Sequence, residues 1–96
     1  MVKHVVCFKL KEEYKKNAEE IASTLLSMRG KVPSAKQINV GLDELGSQRS
    51  YDVYLEVILD DFNSLEVYQN DEYHAGVIKP YMRERTSQSV SVDFTL

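Results

Sequence analysis

One cysteine, two prolines, four glycines and no tryptophan in 96 residues exclude several architectures at the outset. A lone Cys7 cannot close an internal disulfide, which removes the small secreted domains that depend on such staples. The glycines stand apart at positions 30, 41, 46 and 76, so no glycine-rich loop is available to cradle phosphates. There is no His-x-x-x-His or Cys-x-x-Cys pair, and neither a metal nor a cofactor is expected. No apolar run approaches the ~20 residues of a membrane-spanning helix. The opening Met1-Val2-Lys3-His4 lacks the apolar core of a secretory leader, so the cytoplasm is the expected compartment and a membrane is not an expected partner. Basic charge is also short: 12 Lys+Arg against 15 Asp+Glu leave a net charge of −3. Nucleic-acid binding needs a concentrated basic face, because affinity scales with the number of phosphates neutralised. Nucleic acid is therefore not an expected partner.

What is present suits one globular domain spanning residues 1–96, with 43% hydrophobic and 28% charged residues. Residues 2–10 alternate, with Val2, His4, Val6, Phe8 and Leu10 on one face and Lys3, Val5, Cys7 and Lys9 on the other, as in a strand. From Lys11 the period changes. Tyr14, Ala18, Ile21, Ala22, Leu25, Met28 and Val32 recur at helical spacing, and Gly30 and Pro33 end the stripe. Lys36–Leu42 and Tyr51–Leu59 alternate again, separated by a polar loop over 43–50. Asn63-Ser64-Leu65-Glu66 has the form of a capping box with Asn63 as the cap. The second helix should bury Leu65 and Tyr68, break at Asn70-Asp71, and continue through Tyr73, Val77, Ile78 and Tyr81, with Pro80 bending it or marking a new turn. Arg83-Glu84-Arg85 reads as a solvated turn. Gln88–Leu96 alternates once more.

The order β-α-β-β-α-β is the split βαβ pattern. The expected class is α+β, a ferredoxin-like four-stranded antiparallel sheet with two helices on one face. Phe8, Leu55, Val57, Val90 and Val92 are expected beneath the helices. The other face would carry Val5, Cys7, Tyr54 and Ile58 beside Lys9, Glu56, Ser89, Ser91 and Asp93. A solvated sheet face is normally more uniformly polar, so a second copy of the chain, packed sheet against sheet, is the expected partner.

Few side chains offer chemistry. His4 lies on the apolar face of the first strand, and His74 follows Tyr68 by six residues after the break in the second helix. A histidine among apolar groups can stay neutral and serve as a general base, and a tyrosine hydroxyl can polarise a carbonyl. Spacing alone favours two partly buried histidines holding ordinary hydrogen bonds. Cys7 reads as a small buried hydrophobe, since no cation is placed beside it. Packing accounts for Tyr14, Tyr51 and Tyr54.

The opening Val2–Lys11, the strand Tyr51–Val57, the pair Tyr68 and His74, and the ending Val92-Asp93-Phe94 together resemble the stress-responsive A/B barrel (Dabb) family over essentially the whole chain. The resemblance implies a dimeric α/β barrel built from two ferredoxin-like subunits. One plant member is a cofactor-independent polyketide cyclase with its pocket between sheet and helices. By that resemblance His74 matches the catalytic base, Tyr68 matches the carbonyl-binding tyrosine, and His4 matches a further pocket histidine. A third pocket histidine falls at Val53 here, and the proline before the base is replaced by Glu72-Tyr73, so the cyclase substrate is not implied. The resemblance implies a homodimer with a small organic ligand in a pocket of His4, Val53, Tyr68 and His74, and cofactor-free proton transfer of cyclase, isomerase or lyase type. Two alternatives remain: a non-enzymatic structural or binding protein associated with stress, and a cofactor-free monooxygenase or lactone isomerase.

Overall fold

The computed structural model describes all 96 residues. Four strands, β1 (Val2–Leu10), β2 (Gln37–Leu42), β3 (Val53–Leu59) and β4 (Thr86–Thr95), form one antiparallel sheet in the order β2-β3-β1-β4. This is the ferredoxin-like arrangement expected from the alternating segments. Three helices cover one face: α1 (Ala18–Leu26), α2 (Phe62–Gln69) and α3 (Lys79–Arg85). α1 lies over β2 and β3, α2 over β1 and β3, and α3 against β4.

The α1 stripe packs as its period requires, with Ile21, Leu25, Met28 and Val32 all buried. Only its second half is α-helical; Glu12–Asn17 is a tighter 3-10 segment leading into it. Gly30 turns the chain away with φ +76°, a left-handed conformation that glycine adopts without a Cβ clash. Val53, Leu55, Val57 and Leu59 of β3 meet Leu25, Leu65, Tyr68, Ile78 and Met82 in a single apolar core.

Three local expectations are corrected. The cap of α2 is Asp61, not Asn63: its carboxylate accepts from Ser64 N at 2.8 Å. The segment after α2 does not end in a turn at Arg83; a π-helical turn, His74–Ile78, runs straight into α3 and then β4 without a loop. Pro80 explains the π turn. In a regular α-helix its ring would collide with the carbonyl of Gly76 four residues earlier, and widening the turn relieves that contact. The widened turn also shifts the buried side, so Ile78 points inward while Val77 is exposed.

The third correction concerns β4. Val5 pairs with Val92, Cys7 with Val90 and Lys3 with Phe94. Partners directly opposite share a face, so Val90, Val92 and Phe94 lie on the face away from the helices. Ser89, Ser91 and Asp93 take the helix side, opposite Phe8, Val6 and His4. In the isolated chain Val90, Val92 and Phe94 are 50%, 62% and 42% exposed. The open face is therefore more apolar than the alternation of each strand by itself implied.

Candidate functional site

Asp71 begins the segment that carries His74. Its carboxylate accepts from Tyr73 N at 2.8 Å and His74 N at 3.2 Å. It thus satisfies two amides left without partners at the start of a helical turn. His74 is brought against Tyr68 of α2, with ring centroids 4.2 Å apart and a 31° tilt. His4 from β1 also meets Tyr68, in an edge contact at 5.8 Å and 63°. Three of the four residues expected at the site therefore form one stack. Val53 does not join it. That side chain is only 2% exposed, packs into the core, and borders a different surface hollow with Cys7, Leu42 and Tyr54.

The stack forms one wall of a cleft of about 350 Å³ between sheet and helices. Val6, Phe8 and Leu55 supply the sheet side, and Ile78 and Met82 the helical side. The volume lies near the lower end of the roughly 300–1,000 Å³ typical of small-molecule sites. A hollow of about 310 Å³ near Arg29 and Gln37 differs in character. Its arginine is already engaged, donating to the Ile38 carbonyl at 2.9 and 2.6 Å.

Each member of the stack has a distinct electrostatic condition. Burial holds the His74 proton affinity below the usual imidazole value, and nearby Lys79 and His4 add to this, while the Gln69 backbone and Asp71 act the other way. Its Nδ1 is buried without a hydrogen bond of ordinary geometry, although a looser contact of the ring with the Gln69 backbone favours the protonated form. At neutral pH this is a neutral imidazole. Tyr68 is 0% exposed. Burial first, and then the charge of Asp71, push its hydroxyl well above the ordinary phenol range. It stays protonated, able to donate but not to act as a base. Its present acceptor is the Met28 thioether at 3.7 Å, a weak one. His4, 7% exposed, pairs through Nδ1 with the Asp93 carboxylate directly across from it. A carboxylate on Nδ1–H fixes the ring and leaves Nε2 for other work.

Strand alternation placed Asp93 on the wrong side, so its link to His4 was missed. Lys79 and Arg83 also line the cleft; Arg83 was missed because Arg83–Arg85 was read as a solvated turn, and Lys79 was not singled out within the expected helix. Their i, i+4 spacing was the available signal. No three His, Cys, Asp or Glu side chains converge so as to hold a metal. No helix is long and apolar enough to cross a membrane.

The depressed proton affinity of His74 has a consequence for stability. The unfolded chain takes up this proton near pH 6.5, whereas the folded chain takes it up only at lower pH. The stabilising contribution is complete above that range and is lost as pH falls through it. Urea titrations at pH 7, 6 and 5 should show wild type losing more stability on acidification than His74→Gln. An equal loss in both proteins would contradict the assigned environment.

The family model of the stress responsive A/B barrel domain matches residues 2–96. No curated protein matches the chain. Among solved structures, a dimeric protein of unknown function and ferredoxin-like fold from Bacteroides fragilis is 21% identical, covering 99% of this chain and 95% of its own, with a TM-score of 0.85. A dimeric ferredoxin-like protein of unknown function from Thermobifida fusca is 20% identical over 99% and 90% of the two chains, with a TM-score of 0.85. A hydroxynitrile lyase from Passiflora edulis is 13% identical over 99% and 92%, with a TM-score of 0.84. At these identities the likeness concerns the fold.

Proposed function

The chain belongs to the stress responsive A/B barrel (Dabb) family, and from that premise we propose that it works as a homodimer whose subunits each hold a small organic ligand beside His74. The observation that carries this reading is the partnerless Nδ1 of His74 on a ring that borders a cleft of about 350 Å³, lined in equal number by apolar and polar residues. A buried polar atom without a partner is costly, by about 1–3 kcal/mol. A ligand that supplies the missing partner recovers part of that cost.

The chemistry that fits is cofactor-free proton transfer next to a carbonyl, of cyclase, isomerase or lyase type. Neutral His74 takes the proton. Tyr68 exchanges its thioether acceptor for the carbonyl oxygen, whose developing negative charge is a far better acceptor. His4, oriented by Asp93, binds or positions the substrate. The hydroxynitrile lyase among the structural neighbours supports the fold's compatibility with such chemistry. A second reading, binding without turnover, draws on the complete burial of Tyr68: its ring is as much a core element as a site element.

Dimerisation is supported by the open sheet face, where Tyr54, Val90, Val92 and Phe94 are exposed in the isolated chain. The charge among them, Glu56, is already provided for. It accepts from Asn39 at 2.9 Å and Tyr54 at 2.8 Å and pairs with Lys3 at 3.4 Å. Native mass spectrometry of protein purified from cells tests both halves of the reading. The expected species has twice the 11.0 kDa chain mass plus a small molecule released on denaturation. A monomer without an adduct would contradict both.

A further inference from the structure

The cleft borders are unevenly charged. Fifteen acidic residues outnumber twelve basic ones in the chain, yet Lys79 and Arg83 line the cleft and no aspartate or glutamate does. The two cations are four residues apart on α3, and such residues share one side of a helix. Neither takes part in any of the five ion pairs of the structure. This is not a general property of α3. Arg85, two residues on, lies 3.7 Å from the Tyr81 ring and 3.5 Å from the Glu84 carboxylate. Gln69 and Ser89 add two neutral polar side chains to the same lining. On the sheet side, Val6, Phe8 and Leu55 supply the apolar part of the lining.

We propose that the ligand is an apolar molecule ending in a carboxylate, with the carboxylate held by Lys79 and Arg83 and the apolar body lying over Val6, Phe8 and Leu55. This deepens the reading of the cleft as a ligand site and rests on it. An arginine offers a carboxylate two parallel N–H donors, and a lysine adds a mobile point charge. Both cations are exposed at the rim, so their attraction is screened by salt. The apolar body supplies affinity and the cations supply selection and orientation. A carboxylate fixed at α3 leaves the remainder of the ligand to run toward His74.

The test compares octanoate, octanamide and octylamine, which share one chain and differ in the head group, by calorimetric titration of the full-length protein. Octanoate should bind at least about tenfold more tightly than octanamide, a difference of about 1.4 kcal/mol, and octylamine most weakly. In Lys79→Gln/Arg83→Gln the preference for octanoate should vanish while octanamide binding persists. In Lys79→Glu/Arg83→Glu it should pass to octylamine. Octanoate and octanamide binding equally to wild type, or a preference that survives the double glutamine variant, would overturn the carboxylate assignment and leave the ligand site standing. Failure of all three probes to bind would remove the ligand site itself.

Discussion

A glutamate at Val92 is expected to convert the proposed dimer to a monomer. Val92 lies opposite Val5 and is 62% exposed in the isolated chain, with Val90 and Phe94 on the same face. Packed sheets approach to about 10 Å with interdigitating side chains. A carboxylate in that layer loses its water and, in a two-fold arrangement, faces the same substitution on its partner. An uncompensated charge at such a place costs several kcal/mol, and every 1.4 kcal/mol is tenfold in affinity. The dissociation constant of Val92→Glu should rise by at least about 10²–10³. Ser91→Glu is the control. It adds the same charge one residue away on the opposite face of β4 and should leave the dimer intact. Sedimentation velocity separates the outcomes, with circular dichroism to show that both variants fold. A dimeric Val92→Glu protein would place the interface elsewhere.

Most of the fold was legible because most elements are buried on one side within the chain itself. The period-2 pattern of Val2–Leu10 and Val53–Leu59 and the helical stripe from Tyr14 to Val32 face the same apolar core, so periodicity reports their orientation directly. In β4 the rule breaks for a physical reason. Its apolar residues face out of the subunit, and its polar ones face in toward His4, Val6 and Phe8. Alternation identifies the two faces of a strand but not which of them is covered by the same chain. The phase error carried Asp93 away from His4 and hid the pairing of the two.

The site shows the same division. His4, Tyr68 and His74 were the candidates, and the structure brings their rings together. Val53 entered only by correspondence with a relative's histidine. An apolar side chain at that position packs into the core between Phe8 and Leu42, so the cleft is bounded without it. The π-helical turn could not be read from periodicity, since it changes the period. Pro80 was its one visible trace. The sequence pattern put both Val77 and Ile78 inward, whereas only Ile78 is buried.

Removing the imidazole of His74 should have the largest effect on chemistry. A correctly placed general base contributes about 10²–10⁴ in rate. Tyr68 remains protonated because of its burial, and His4, held through Nδ1 by Asp93, is given the positioning role rather than that of the base. Substitution of His74 should spare the assembly, because the ring lies on the helix side of the sheet, away from Val92 and Phe94. The central claim, a neutral His74 acting on a ligand in the cleft, is tested most directly by deuterium uptake beside a carbonyl. Heptan-2-one in D2O, followed by proton NMR with wild-type and His74→Ala protein, provides that measurement. The expected result is exchange by wild type well above buffer, reduced about 10²–10⁴-fold in a His74→Ala protein that is still a dimer. Exchange no faster than buffer, or undiminished in His74→Ala, would contradict the account.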